Sequence, residues 1–271
     1  METVQAGVGT QSLRRALVLL NVIGVMGQER PGGVSLSDLS RVTDLPKPSV
    51  HRVLAALVET GYVERMADSG RYLLGMQARI LGDMAGRAPE PLLDACRDSL
   101  VRLADFSEDT VFLTVRKGSF SVCVLREDGG GQIRNYALAV GDRHPLGIGA
   151  GSLAILSALA LEESDRELSV NAELLARHYP LIDVDSLRNI VRRTRQDGYA
   201  LNEGLVAPGS WAIGVEIRSK QGQPIAALSI ATIEPRLLEP RRLDLVTAMR
   251  REVTRIEAVL HSQGGSDGHI H

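Results

Sequence analysis

The sequence predicts an α+β protein with two domains: a winged helix-turn-helix and a larger domain built on an antiparallel sheet. Residues 36 to 74 contain two short amphipathic helical segments, an Asp-Leu-Pro corner between them and two strand-like runs after them. Beyond residue 110, strand-like runs occur in pairs around short polar turns. A chain of 271 residues is also longer than a typical domain, which favours two domains.

The composition is that of an ordinary globular protein. Hydrophobic residues make up 44%, charged residues 24%, and the formal net charge is -2. Any contact with nucleic acid must therefore come from a local surface, since bulk charge does not favour it. Cys96 and Cys123 form no CxxC pattern, so we expect core thiols in a reducing cytoplasm and no zinc site or disulfide. Neither a signal peptide nor a membrane span is expected.

The N-terminal domain is predicted to span residues 11 to 75, after a flexible arm over residues 1 to 10. Ser12 can cap a first helix, whose apolar residues recur at helical spacing and which should end at Gly27. A serine at position 35 or 37 can cap the second helix. The buried face of the second helix is predicted to consist of Leu36, Leu39 and Val42.

The third helix is the element predicted to read DNA. Pro48 suits its first turn, because proline lacks only an N–H that would be unpaired there. Gly61 ends the helix, and a wing follows whose two strands are joined by the turn Asp68-Ser69-Gly70. The predicted buried stripe consists of Val50, Val53, Leu54, Leu57 and Val58.

The face of the third helix opposite the apolar stripe carries the candidate DNA contacts. Arg52 can donate two parallel hydrogen bonds to guanine, and His51 can reach a base edge or a phosphate. Lys47 and Ser49 suit phosphate, which orients a protein on DNA without specifying sequence. With the wing, the predicted DNA-binding residues are Lys47, Ser49, His51, Arg52, Arg65 and Arg71. The alternative is a solvated helix face with ordinary charges.

The charge evidence for DNA binding is weaker than the pattern evidence. Between Arg41 and Arg79, six basic and four acidic residues leave a surplus of only two positive charges. One such domain would bind DNA poorly, so we expect a homodimer or homotetramer on a paired operator. The first helix is the expected subunit contact.

A linker helix over residues 76 to 89 is predicted to lead into a second domain over residues 90 to 262, with a disordered tail over residues 263 to 271. Alternation and helical spacing predict an antiparallel sheet with flanking helices rather than a parallel fold. The predicted elements are a helix from about Leu93, strands at 110–116, 121–127 and 133–140, helices at 150–161 and 185–196, strands at 211–218 and 224–233, and a closing helix that reaches Leu260.

Short motifs extend along most of the chain, and they are specific in the N-terminal part and looser, though in the same order, in the C-terminal part. They are Gln11-Ser12-Leu13 with Arg15-Ala16, Leu36-Ser37-Asp38-Leu39, Leu45-Pro46-Lys47 with Val50-His51-Arg52, Gly61-Tyr62-Val63, Pro145-Leu146, Gly149-Ala150-Gly151, Gly198-Tyr199-Ala200 and Ala226-Ala227-Leu228-Ser229-Ile230. With these motifs the chain resembles IclR-type bacterial transcriptional regulators. The resemblance implies a GAF-like, ligand-sensing C-terminal domain and a dimer or tetramer. Pro48 departs from the family, which commonly has serine there, and a phosphate contact is lost with it.

The resemblance also implies an effector pocket between a glycine-containing loop and the concave face of the sheet. The matching positions are Ile133, Tyr136, Ala150, Gly151, Asn202, Ala212 and Ser229. Exposed N–H groups at the start of the helix after the loop favour a carboxylate, so the expected effector is a small organic acid. Asn202 replaces a frequent acid, and Ala212 and Ala231 replace more polar residues, which leaves room for an aromatic acid. Each position is equally compatible with plain core packing.

The remaining patterns indicate neither an enzyme nor a cofactor. Residues 147 to 152 imitate a dinucleotide loop, but a serine replaces the final glycine and no βαβ unit surrounds them. Asp142, Arg143 and His144 are interpreted as a polar loop without a nearby nucleophile. The leading hypothesis is a ligand-responsive transcription factor, more often a repressor than an activator in this family. The alternative is a winged-helix adaptor that binds protein, without DNA-binding or effector function.

Overall fold

The computed structural model of the chain describes residues 8–85, 90–131, 138–179 and 182–263. The chain divides into two compact units, Met1–Pro89 and Glu90–His271. Within the described ranges, no helix combines the length and the apolar character needed to cross a membrane. Most of the predicted arm and tail, the end of the linker helix, and the candidate pocket residues Ile133 and Tyr136 lie outside the described residues.

The first helix, α1 (Val8–Glu29), is longer at both ends than predicted. Residues 8–10 are helical instead of belonging to an arm, and Ser12 lies inside the helix instead of capping it. Gly27 does not end α1, because one glycine in a helix costs only about 1 kcal/mol relative to alanine. Leu19 and Ile23 of α1 are fully buried and anchor the helix in the core of the N-terminal unit.

The predicted helix-turn-helix is formed by α2 (Leu36–Thr43) and α3 (Lys47–Glu59). Ser35 caps α2, since its Oγ accepts a hydrogen bond from the N–H of Asp38 at 3.1 Å. Asp44 follows with a positive φ of 53°, and the chain turns there into α3. The prediction that Val42 is buried was wrong: it is 53% exposed, because it lies on the outer side of α2.

The predicted stripe of α3 is confirmed. Val50 and Leu54 are fully buried, and the other three members pack against the same core. The wing consists of β1 (Val63–Arg65) and β2 (Tyr72–Leu74), which pair in antiparallel fashion. α4 (Met76–Ala85) then continues to the end of the described part of this unit.

The second unit is built on a six-stranded sheet whose described pairs are all antiparallel. The strands are β3 (Thr110–Lys117), β4 (Phe120–Glu127), β5 (Arg143–Pro145), β6 (Ala200–Glu203), β7 (Ser210–Arg218) and β8 (Pro224–Ile233), and they lie in the order β5-β4-β3-β8-β7-β6. Of the strand predicted at 133–140, the described residues 138–140 are not in a strand. The strand that pairs with β4 at that edge is β5 instead.

Helices cover both faces of this sheet, which confirms the predicted α+β architecture. α5 (Pro91–Ser107) and α9 (Arg241–Gln263) pack on one face, where the buried thiol of Cys96 lies. The other side carries α6 (Ala150–Ala158), α7 (Leu161–His178) and α8 (Val184–Asp197). The sequence did not predict α7, because the segment is strongly charged and only a few of its residues are buried. The predicted helix at 150–161 ends at Ala158, since Leu159 adopts an extended conformation before α7 begins.

Candidate DNA-binding surface and effector pocket

The outer face of α3 is basic in its N-terminal half. The side chains of Lys47, His51 and Arg52 are exposed, and Ser49 is half-buried. Their direction follows from the inward packing of the apolar stripe, because residues on opposite sides of a helix point in opposite directions. Four of the predicted DNA contacts therefore belong to α3, and three of them, Lys47, His51 and Arg52, face outward.

The basic side chains on the outer face of α3 have no partner among the described residues. In the part of the chain that the structure describes, Lys47, His51 and Arg52 form no side-chain hydrogen bond and no ion pair. Arg30 and Arg41, by contrast, pair with the Asp38 carboxylate at 3.0 and 2.9 Å. The donors of α3 consequently remain available for an external acceptor.

The start of α3 offers fewer backbone donors than most helices. No side chain caps it, so the positive end of its dipole is open to an anion. Pro48 has no N–H, and the N–H of Ser49 already donates to the carbonyl of Pro46 at 2.8 Å. The first turn of α3 therefore has few free backbone N–H groups, and the loss of a phosphate contact at Pro48 stays a prediction.

The two arginines of the wing have different environments. Arg65 is exposed and has no ion pair among the described residues. Arg71 is also exposed, but its Nη1 donates to the carbonyl of Gly33 at 3.1 Å and fastens the wing to the loop before α2. Arg65 is thus free to contact DNA, whereas Arg71 already has a structural role.

In the second unit, small residues on the sheet allow α6 to approach it closely. Gly214 on β7 has no side chain where the backbone of Ala150 passes, and a Cβ atom there would lie 2.4 Å from the Ala150 carbonyl oxygen. Gly151, in the first turn of α6, also lies close to the sheet, since a Cβ atom there would lie 3.1 Å from the Oγ1 of Thr114 and 3.4 Å from the Oγ of Ser229.

A small cavity remains beyond the first turn of α6. Asn202, Ala212 and Ala231 lie in one row across β6, β7 and β8, because each pairs with its neighbour in the sheet register. This row lines a cavity of about 40 Å³ together with Ala150 and His144. The structure therefore brings together Ala150, Asn202 and Ala212, whereas Gly151 and Ser229 do not line this cavity.

The described walls of the cavity are mainly apolar and contain no carboxylate. Asn202 is 6% exposed and uses its Oδ1 to accept a hydrogen bond from the N–H of Leu205 at 3.2 Å. No side chain caps α6, whose positive end faces this region through Gly149 and Ala150. The described residues include no cluster of three or more His, Cys, Asp or Glu suited to a metal ion.

Sequence reasoning missed His144, which lines the same cavity. Its Nδ1 lies 2.7 Å from the hydroxyl of Tyr179, and its Nε2 is buried without a hydrogen-bond partner among the described residues. Burial lowers the pKa of His144, while the nearby Asp142 acts in the opposite direction. The only signal in the sequence was its position just before the glycine-containing loop.

Comparison with known proteins gives consistent matches to both units. The IclR helix-turn-helix domain matches residues 12–67, and the family described as "Bacterial transcriptional regulator IclR C-terminal" matches residues 90–258. The HTH-type transcriptional regulator KipR of Bacillus subtilis (strain 168) is 29% identical over 215 residues, which cover 77% of this chain and 82% of KipR. The transcriptional repressor IclR of Escherichia coli (strain K12) is 25% identical over 248 residues, which cover 90% of this chain and 89% of that repressor.

Solved structures agree in fold. The IclR of Thermotoga maritima has a TM-score of 0.68 at 22% identity and covers 93% of this chain and 99% of its own. An IclR homologue from Microbacterium hydrocarbonoxydans, complexed with 4-hydroxybenzoate, has a TM-score of 0.66 at 25% identity, with the same coverage. The two family models match the N-terminal unit and the C-terminal unit described above. The chain therefore belongs to the IclR family of DNA-binding transcriptional regulators, which carry an effector-binding C-terminal domain.

Proposed function

We propose that this protein is a repressor that binds a paired operator as a homodimer or homotetramer and responds to a small organic acid. It would act in the cytoplasm, where the bacterial chromosome lies, and no enzymatic activity is proposed. The observation that carries the DNA-binding part is the unengaged basic face of α3. The proposed DNA contacts are Lys47, Ser49, His51, Arg52 and Arg65, with Arg71 contributing the donors that Gly33 does not use.

Exposed apolar residues on the N-terminal unit support the oligomer. Leu13 and Leu17 of α1 are 62% and 54% exposed, and Met76 and Met84 of α4 are 65% and 61% exposed. Contiguous exposed apolar surface commonly marks a protein interface. A second copy would cover such residues and would double the weak positive surplus of a single DNA-reading unit.

The cavity on the sheet supports the acid effector. Ala150, Asn202 and Ala212 line it, while Gly151, in the first turn of α6, lies against Ser229 of β8. Ile133 and Tyr136 remain proposed for the apolar wall. An engineered cavity of about 150 Å³ binds benzene, so the present cavity of about 40 Å³ must widen to hold an aromatic acid. The complex of the Microbacterium homologue with 4-hydroxybenzoate makes an aromatic acid a sound first probe.

An operator selected from randomised DNA with the wild-type protein provides the test of DNA recognition. Arg52→Ala should weaken operator binding in a gel-shift titration by about ten- to a hundredfold, because a bidentate base contact contributes roughly 1–3 kcal/mol. Arg177→Ala, which removes the same charge from the exposed side of α7, is the matched control. Undiminished affinity of the Arg52 variant would disprove the role of the recognition helix.

Salt dependence separates this function from that of a protein-binding adaptor. Binding to DNA phosphates releases counterions, so the logarithm of the affinity should fall linearly with the logarithm of the salt concentration. An adaptor would select no DNA sequence and would show no such slope with the randomised pool.

The effector class is tested by thermal unfolding with acetate, benzoate and 4-hydroxybenzoate. An effector at a hundred times its dissociation constant should stabilise the protein by about 2.7 kcal/mol. The same acid should then release the selected operator, because a ligand shifts an equilibrium as far as its affinities for the two states differ. Tighter operator binding in its presence would contradict the assignment as an acid-released repressor.

A further inference from the structure

His144 lines the proposed effector cavity and carries an unpaired ring nitrogen. Its Nε2 is buried and has no hydrogen-bond partner in the described part of the chain. Leaving a buried polar atom unpaired costs free energy, so such atoms call for a specific explanation. His144 also lines the cavity, where a ligand atom would satisfy this nitrogen.

The imidazole ring is held from its other side. Its Nδ1 lies 2.7 Å from the hydroxyl of Tyr179, which follows directly after α7, and the two rings meet edge-on at 64°. The backbone of His144 is fixed by pairing with Ser121 of β4. A ring held at both the backbone and Nδ1 keeps Nε2 in a defined place.

The position of the ring proton decides whether Nε2 is a donor, and a Tyr179 hydroxyl that donates to Nδ1 places that proton on Nε2. Burial raises the pKa of Tyr179, so its phenol keeps its proton and can donate to Nδ1. Burial lowers the pKa of His144, so the unliganded ring is neutral at neutral pH. When Nδ1 of a neutral imidazole accepts a hydrogen bond, the ring proton lies on Nε2.

Charge complementarity identifies the ligand group. Among the described residues that line the cavity, His144 is the one whose side chain can become positively charged. The charged and titratable groups around it are Asp142, which raises its pKa, Tyr179, and Arg143, whose guanidinium lies 3.7 Å from the centroid of the Phe120 ring. An acid anion in the cavity therefore meets a single side chain able to supply a proton and a charge.

We propose that His144 is an effector-binding residue that donates its Nε2–H to the carboxylate of the bound acid, and that Tyr179 is a positioning residue that orients the ring. This inference rests on the effector site proposed above and extends it to a residue outside the predicted set. A carboxylate next to an imidazole favours the imidazolium form. Binding therefore draws a proton onto Nδ1 of His144, which then donates to the oxygen of Tyr179, and the affinity for the acid falls as the pH rises above neutrality.

Isothermal titration calorimetry of the full chain with acetate, benzoate and 4-hydroxybenzoate tests the proposal. Acetamide and benzamide serve as uncharged equivalents. Each titration is carried out at about pH 7 in phosphate and in Tris, because the difference in observed heat between buffers of different ionisation enthalpy measures the protons taken up. The variants are His144→Ala, His144→Gln and Tyr179→Phe, and His178→Gln is the control at an exposed neighbouring histidine.

The wild type should bind an acid more tightly than its amide and should take up a fraction of a proton. His144→Ala should bind about ten- to a hundredfold more weakly, since a hydrogen bond to a charged group is lost. His144→Gln retains an N–H donor but no titratable group, so it should keep part of the affinity without proton uptake. Tyr179→Phe should fall between these values, and His178→Gln should match the wild type.

Unchanged affinity and unchanged proton uptake in both His144 variants would overturn this inference and leave the effector proposal standing. Failure of every acid to bind the wild type would overturn both, whereas binding to the selected operator would still stand on its own titration. If His144→Ala unfolds at a lower temperature than the wild type without ligand, the buffer comparison on His144→Gln decides the question. Proton uptake that persists in His144→Gln would count against the proposal.

Discussion

A Cβ atom built on Gly214 would lie 2.4 Å from the carbonyl oxygen of Ala150. No side chain fits at that distance, so a glycine in the middle of β7 is what allows the start of α6 to rest on the sheet. The same approach places the first turn of α6 next to the row of Asn202, Ala212 and Ala231. The proposed effector cavity thus depends on a residue that does not line it.

Gly214→Ala should destabilise the C-terminal unit by about 1–3 kcal/mol, because overpacking forces the backbone of α6 away from β7. It should also weaken the binding of any acid that the wild type binds. Gly130→Ala is the matched control, since a Cβ there meets no atom within 4 Å. Urea unfolding measures the first effect, and equal midpoints for the two variants would show that the close packing is not required.

The Asp109 carboxylate, which is 1% exposed, links the start of β3 to the end of β8 and the start of α9. It accepts hydrogen bonds from Thr232 at 2.7 Å, Arg236 at 3.0 Å and Arg241 at 2.9 Å. Asp109→Asn should lower the free energy of unfolding by about 3 kcal/mol, because it removes one partner of a buried ion pair. This value is at the low end for such pairs, since the side chains of both arginines are about a third exposed.

Asp165→Asn provides the comparison for that carboxylate. Asp165 pairs with Arg188 at 3.2 Å on the surface, where such pairs contribute no more than about 1 kcal/mol. If chemical unfolding shows equal losses for the two substitutions, the buried network around Asp109 does not stabilise the domain as the geometry indicates.

The two wing arginines should separate stability from DNA binding. Arg65→Ala should leave thermal unfolding unchanged and reduce the salt slope of operator binding by about one unit, because one phosphate contact is removed. Arg71→Ala should lower the stability of the N-terminal unit by about 1 kcal/mol, since its hydrogen bond to Gly33 is lost. A reversed pattern, with Arg65 affecting only stability, would contradict the assignment of the two roles.

Asp38 should make the N-terminal unit sensitive to acid. Hydrogen bonds from the Ser35 hydroxyl and from Arg41 lower the pKa of this carboxyl below its ordinary value. A carboxyl whose pKa is lower in the folded than in the unfolded state stabilises the fold above the unfolded pKa of about 3.9. This contribution disappears as the pH falls through the folded pKa, so acid unfolding should set in below about pH 4.

Ser35→Ala tests this relationship. It removes the cap of α2, which should cost about 1 kcal/mol at neutral pH, and it should raise the pKa of Asp38. The difference from wild type should shrink in acid, where the protonated Asp38 no longer pairs with Arg41. Ser69→Ala, in the wing turn, should show neither effect; a pH-independent loss in Ser35→Ala would argue against the coupling.

Local patterns predicted the DNA-reading unit well. Val50 and Leu54 point inward and Arg52 outward because a helix repeats every 3.6 residues, and this period is visible in the sequence itself. The hairpins of the second unit were predicted for the same reason, since strand alternation and turn residues are local. The errors occurred where local signals are weak: Ser12 can serve as a cap or lie within a helix, and α7 buries few residues.

The cavity required long-range information. His144 and Tyr179 lie 35 positions apart in the chain, and Arg71 reaches Gly33 over 38 positions. Such pairs depend on how strands and helices pack, which no short pattern records. Asn202 and Ala212 were predicted together only through the family resemblance, and their place in one sheet row follows from the register of β6 and β7.

The sequence by itself determined the winged helix-turn-helix, the long hairpin strands of the second unit and the outward basic face of α3, because each follows from the periodicity and turn chemistry of neighbouring residues. Tertiary structure alone decided that Gly151 of α6 lies against Ser229 of β8 instead of lining the cavity, that Arg71 fastens the wing, and that His144 lines the cavity with its Nε2 unpaired. The physical reason is that burial and hydrogen bonding depend on neighbours in space, whereas helix and strand patterns depend on neighbours in the chain.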